Sequence, residues 1–333
     1  MTCAGCGCVC DDGRTCALGD AWFSLDERPP LARIDGREVS LDEAVAAAAA
    51  ILREARAPLV YGLGGTSIEA QRRAVALAEA IGAVVDAGAS AGAFQAIGSS
   101  TATFGEIRDR AELVVAWRAD PVVTHPRLLE RLRVKSLVVV DSERTATAEQ
   151  ADAFIEVQDD FESLWALRAG APLDGLMERL LAARHVAFIY GALDELSALA
   201  LFELVRDLAR DRHAVTLGLR AGNARGAEDV LAWQTGFPGP VSFARGYPRE
   251  AHGTECDAML VVAAEVPPTA VPTVVIDPRA TAQAHVVIAP AADGIEVPGT
   301  VHRMDGVPLP VRASRPADRP SLEEVVAMIG DRC

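Results

Sequence analysis

No apolar run in this 333-residue sequence approaches the roughly 18 residues that a membrane span needs, and no basic segment leads into an apolar one near its start. Neither a spanning helix nor a secretory leader is expected, and the cytoplasm is the expected compartment. Positive charge is in deficit: 32 Lys and Arg stand against 47 Asp and Glu, a net charge of −15. That balance argues against nucleic acid or an anionic membrane as partner. Cysteine is almost missing beyond the first sixteen residues, where only Cys256 and Cys333 remain. A cluster of that kind, without a secretory signal, points to metal rather than to a disulfide framework. The segment 88–103 contains no cysteine, histidine or carboxylate at all.

What is present is a large apolar fraction, 50% of residues, enough for a sizeable core and for two domains. The segment 57–86 sets the pattern. Leu59, Val60 and Tyr61 suit a buried strand, and Gly62, Gly64 and Gly65 make a turn. Ala74, Leu77, Ala78 and Ile81 share one helix face, and Gly82 stops the helix before a second strand at Val84 and Val85. Thr66 and Glu69 stand in capping-box spacing at the helix start. This βαβ unit returns at 186–217, with a long helix from Glu195. The apolar run 113–117 is echoed by 258–262. The run 137–140, ending in Asp141 and followed by Arg144, Thr145 and Ala146, is echoed by 273–276, with Asp277, Arg279, Ala280 and Thr281. The expectation is an α/β protein of two related doubly wound domains with mostly parallel sheets, preceded by a cysteine-rich segment. Its sequential boundaries would fall at 1–38, 39–170 and 171–333.

Cys3, Cys6, Cys10 and Cys16 give C-x2-C-x3-C-x5-C, with Cys8 as an extra thiol and Gly5 and Gly7 to let the loop wrap. The spacing suits a [4Fe–4S] cluster; a tetrahedral zinc site and an emptied site are the alternatives. Ser40 with Glu43 reads as a capping box opening a helix, and further helices are expected at 159–169 and 321–329. In α/β sheets ligands bind beyond the strands' carboxyl ends. There the loop 87–98 offers small apolar residues and Ser90, whose hydroxyl is best read as satisfying the loop backbone. His185, His213 and His285 flank strands singly and read as satisfied edge histidines. The loop 220–226, with Arg220, Asn223 and Arg225, suits an anion or a subunit contact. Asp141 and Asp277 end equivalent strands, where a carboxylate can hold nucleotide hydroxyls or cap the next turn.

Several blocks in order carry a family resemblance. They are the opening C-x2-C-x3-C-D-D, Thr66-Ser67 with Glu69-Ala70-Gln71, Thr103 to Ile107, and Asp120-Pro121 through His125-Pro126-Arg127. In the second half they are Arg225-Gly226-Ala227, Trp233 to Gly236, Arg245 to Pro248, and Gly299 through Pro308. The sequence resembles the B subunit of formylmethanofuran dehydrogenase, in the molybdopterin oxidoreductase superfamily, over nearly its whole length. In that family the loop after the first βαβ unit supplies a Cys or selenocysteine that ligates tungsten or molybdenum, followed by His. Here the resemblance places Gly92 and Ala93 at those positions, and neither can bind metal or move a proton.

This loss resembles the bacterial formyltransferase/hydrolase complex of tetrahydromethanopterin-linked formaldehyde oxidation, whose transferase and hydrolase work is done in other subunits. The implied role is a non-catalytic scaffold with no catalytic residue of its own. Its partners would be the complex's other subunits, and a methanofuran-type carrier would be bound by the complex. Tungsto- or molybdopterin is expected to be absent, and Ser90, His125, Asp141 and Asp277 would be vestiges of a pterin cleft. The alternative is a redox-active dehydrogenase subunit with a metal–pterin and a [4Fe–4S] cluster. A thiamine-diphosphate enzyme's central domain shares such Gly-rich βα turns, but has no place for the cysteines or for the block 303–308.

Overall fold

The computed structural model describes residues 2–25, 28–88, 92–280 and 282–333. In chain order its strands are β1 (Ala32–Ile34), β2 (Arg37–Glu38), β3 (Pro58–Gly62), β4 (Val84–Asp86), β5 (Leu113–Trp117), β6 (Leu137–Asp141), β7 (Ala153–Glu156) and β8 (His185–Tyr190). They continue as β9 (His213–Gly218), β10 (Val241–Ser242), β11 (Arg249–Glu250), β12 (Ala258–Val262), β13 (Thr273–Ile276), β14 (Val286–Ile288), β15 (Gly299–His302) and β16 (Pro308–Val311). The chain divides into two compact units. Unit 1 is Met1–Ala89, Ala221–Arg303 and Pro308–Cys333, and unit 2 is Ser90–Arg220 with Met304–Val307.

Among the described residues, unit 1 is built on a nine-stranded sheet in the order β11-β10-β4-β3-β12-β13-β14-β1-β2. Its five central strands, β4 to β14, are parallel, while β10 and β1 close the two sides antiparallel. Helices with many alanines cover it: Ala44 and Ala48 of Leu41–Glu54 and Ala74 and Ala78 of Ile68–Ile81 are fully buried against Val60, Leu260 and Val274. Both Ser40 and Ser321 form complete capping boxes, with Glu43 and Glu324. Gly82 ends the helix Ile68–Ile81 in the left-handed region at φ 68°. The β15–β16 hairpin makes the expected excursion.

Unit 2 carries a five-stranded parallel sheet, β7-β6-β5-β8-β9. Its core is richer in large side chains, with Trp117, Phe188, Leu164 and Leu201 fully buried. Every residue of β5 is buried, as a parallel strand covered on both faces demands.

The α/β class and the internal repeat are as expected, but the sheets cut across the boundaries at 39–170 and 171–333. The central order β4-β3-β12-β13-β14 in unit 1 matches β9-β8-β5-β6-β7 in unit 2 position for position. Thus β3–β4 of the first half pair with β12–β14 of the second, and β8–β9 of the second half pair with β5–β7 of the first. The halves trade their opening βαβ units. The sequential assignment assumed that neighbours in sequence share a sheet, a tendency that the parallel register here overrides. Even the strand-end turns match. The residue after β12, Ala263, has φ 45° and donates to Ile276 O at 2.9 Å. The residue after β5, Arg118, has φ 47° and donates to Val140 O at 3.0 Å.

Candidate functional site

The turn after β3 is forced into close approach with the chain beyond β12. Gly65 N donates to Ala263 O at 3.0 Å, and a Cβ at Gly65 would stand 2.4 Å from that same oxygen. The loop before the helix Ala224–Thr235 closes on the turn from another side. Asn223 N donates to Gly64 O at 2.6 Å, its Nδ2 donates to Thr66 O at 2.8 Å, and a Cβ at Gly222 would lie 2.6 Å from Gly64 O. Gln71, with no exposure, donates from one Nε2 to Leu63 O, Thr66 O and Asn223 O.

This frame borders a cavity of about 460 Å³ within unit 1, at the carboxyl ends of β3, β12 and β13. Ala4, Gly5 and Trp22 of the N-terminal segment form part of its wall, beside Thr66, Asn223, Asp277, Arg279 and Asp293. Burial pushes the Asp277 carboxyl upward, countered by Arg279 N, which donates to it at 2.6 Å. Burial likewise pushes the Asp293 carboxyl up, against the Thr66 hydroxyl at 2.5 Å and Ser67 N at 2.8 Å. The Arg279 guanidinium is tied to the Trp22 carbonyl. Such a wall can bind and orient a polar ligand. The cap of the helix Ile68–Ile81 lies one residue later than expected. Ser67 is the N-cap, because Thr66 serves Asp293, and Glu69 turns to Thr300, accepting from its N at 2.9 Å and Oγ1 at 2.8 Å.

The sequence candidates separate. Asp277 lies in the cavity. Asp141, its counterpart in unit 2, is engaged by Arg118 Nη1 at 3.1 Å, and Arg118 Nε also bonds Asp160 at 2.8 and 2.9 Å. His125 is buried with both ring nitrogens occupied, Nδ1 with Thr124 Oγ1 at 2.9 Å and Nε2 with Arg220 O at 3.1 Å, and burial lowers its pKa. Ser90 lies outside the described residues. Gly92 and Ala93 open the short helix Gly92–Ile97. Ala93 packs into the unit 2 core, and a Cβ at Gly92 would meet Glu195 Oε1 at 2.4 Å. His185 and His213 sit in register across β8 and β9 with rings 5.4 Å apart, and His213 Nε2 meets Glu106 at 2.9 Å. Sequence reasoning missed Asp293 and the buried pair of His302 Nδ1 with Asp229 at 2.6 Å. No motif marks either, although His302 sits in the quoted block 299–308.

The N-terminal loop brings Cys3 and Cys10 together through the backbone. Cys3 N donates to Cys10 O at 2.8 Å, closing the loop, and Gly5 leaves room for Trp22, whose Cβ a side chain there would meet at 2.8 Å. The Cys3 thiol is pushed up to about 11, first by burial and further by the neighbouring Cys6, Cys10 and Cys16 thiols. Cys8 is fully buried. Thiols are the right donor type for an iron–sulfur cluster. Among the described residues, however, no three His, Cys, Asp or Glu side chains converge as ready ligands of one ion. Nor is any described helix long and apolar enough to cross a membrane.

No family model matches the sequence. Two curated proteins do. The B subunit of the tungsten-containing formylmethanofuran dehydrogenase 2 of Methanocaldococcus jannaschii is 31% identical over 403 residues, covering 94% of this chain and 92% of the relative. Its namesake from Methanococcus maripaludis is 30% identical, covering 94% and 92%. Among solved structures, a chain of the formyltransferase/hydrolase complex FhcABCD from Methylorubrum extorquens, determined in complex with methylofuran, matches with a TM-score of 0.74. The two are 25% identical, over 90% of this chain and 98% of that one.

Proposed function

Because the chain belongs to the family of formylmethanofuran dehydrogenase B subunits, we propose that it is the non-catalytic B subunit of a formyltransferase/hydrolase complex in methanofuran- and tetrahydromethanopterin-linked one-carbon metabolism. The observation that carries this reading is the segment opening at Gly92. Where the family resemblance places a metal-binding Cys and its His, this chain has a glycine against the Glu195 carboxylate and an alanine in the core. Neither residue offers a donor to a soft metal or a proton to a substrate. The length of the alignment agrees: it runs over 403 residues against the 333 of this chain, so the tungsten-enzyme relative carries segments without counterpart here.

In this role the chain contributes assembly surface. The complex's other subunits perform formyl transfer and hydrolysis and bind the methanofuran-type carrier. Tungsto- or molybdopterin is absent from it. Cys3, Cys6, Cys10 and Cys16 are the residues that would hold a [4Fe–4S] cluster, which when bound would relay single electrons. The C-x2-C-x3-C-x5-C spacing of those four is the one feature favouring the second reading, a redox-active dehydrogenase subunit. Elemental analysis of the intact complex for Fe, Zn, W and Mo separates the two. Tungsten or molybdenum at one atom per copy of this chain would refute the scaffold role; their absence with intact formyl transfer supports it.

A further inference from the structure

A strand, a glycine turn and a helix N-terminus form the usual seat for the phosphates of a dinucleotide, because free backbone N–H groups and the helix dipole favour an anion there. Unit 1 has all three parts, in β3, the turn at Gly64 and Gly65, and the fourteen-residue helix Ile68–Ile81. The seat is taken. Asp293 Oδ2 accepts from both the Thr66 hydroxyl at 2.5 Å and Ser67 N at 2.8 Å, while Ser67 Oγ faces Ala70 N. A second carboxylate, Glu69, sits in the helix's first turn and is spent on Thr300.

Asp293 cannot readily swing away. It lies in a turn closed by Gly294 N on Val297 O at 2.7 Å, and the adjoining Ala292 N is held by the Glu296 carboxylate at 3.0 Å. Glu296 is itself paired with Arg28 at 2.6 Å. We infer that the Asp293 carboxyl group occupies the phosphate seat of unit 1, so that the adjoining cavity does not accept a phosphate-bearing pterin or other dinucleotide. The metal–pterin that the family implies does not fit this chain at that point. The inference stands on the geometry of unit 1 alone and survives if the proposed subunit role fails.

The test uses the full chain and inorganic pyrophosphate. Wild type should show no change in melting temperature with pyrophosphate beyond that caused by potassium chloride of equal ionic strength. Asp293→Ala should melt lower, because it strands the Thr66 hydroxyl and Ser67 N–H, and about 10 mM pyrophosphate should restore roughly 3 °C or more by refilling the seat. Asp293→Ser, a milder change that also vacates the carboxylate's place, should behave alike. Equal stabilisation of wild type and variants overturns the inference. So does the absence of any rescue, or failure of both variants to fold even when pyrophosphate is present.

Discussion

Replacing Arg118 by alanine tests whether unit 2 depends on a single cation at its strand ends. Arg118 bonds Asp160 through Nε at 2.8 and 2.9 Å, Asp141 through Nη1 at 3.1 Å and Val157 O through Nη2 at 3.0 Å. The side chains keep only 15% (Arg118), 13% (Asp141) and 18% (Asp160) exposure. Removing one partner of a buried pair costs about 3–5 kcal/mol, mostly as the penalty of a charge left unpaired, and the remaining exposure places this case near ~3 kcal/mol. Backbone strain does not confound the measurement, because Ala263 already holds the same left-handed conformation at the matching place in unit 1. Thermal unfolding followed by circular dichroism, with hydrogen exchange to assign the transition to unit 2, should show a fall of roughly 6–12 °C. Adding Asp160→Asn should recover part of it, since asparagine still accepts from Trp117 Nε1, now at 2.9 Å, and carries no charge. A fall below about 2 °C, or a double variant worse than the single one, would refute the reasoning.

Asp277→Asn should raise the melting temperature near pH 7 and have little effect near pH 4. Its folded pKa is raised by burial, so the favourable protonated form is present below the unfolded value and lost as pH rises through the folded one; a lower melting temperature at pH 7 would contradict this. If the N-terminal thiols hold iron in the C-x2-C-x3-C-x5-C spacing, Cys3→Ser should abolish iron content and the shoulder near ~400 nm in anaerobically purified protein, whereas Cys8→Ser, outside that spacing, should retain both. Iron lost equally from both variants would dissolve the distinction. Ser90→Ala and His125→Ala should leave formyl transfer and hydrolysis, per assembled complex, within about threefold of wild type, or ~0.7 kcal/mol in barrier. A hundredfold loss in a complex that still assembles would place chemistry in this chain.

The elements themselves were legible. Ser40 announces its helix by a capping box, the helix expected from Ser321 forms, and the repeated strand–Asp–Arg–Thr pattern identified pairs of strands that do hold matching sheet positions. Partner choice was not legible, because parallel strands buried on both faces read as similar apolar runs whichever neighbour they take. Local rules failed where distant groups intervened. Thr66 looks like a cap until Asp293, 227 positions away, claims its hydroxyl. Asp141 and Asp277 look alike in sequence. In the structure one meets Arg118, whereas the position corresponding to Arg118 in the other unit is Ala263, and Asp277 faces a cavity instead.

The traded βαβ units bear on how the chain is made. Ala57 N, at the edge of β3, donates to Asp257 Oδ1, 200 positions downstream, and β3 lies directly against β12. At about 5–20 residues per second, a ribosome leaves the opening βαβ unit without its sheet neighbour for roughly 10–40 s. For that interval the apolar edge of β3 is open to wrong pairing or to a chaperone. A nascent chain released near residue 170 would hold pieces of two sheets and complete neither. Completion of the unit 1 sheet is thus a late event, timed by the arrival of β12 to β14.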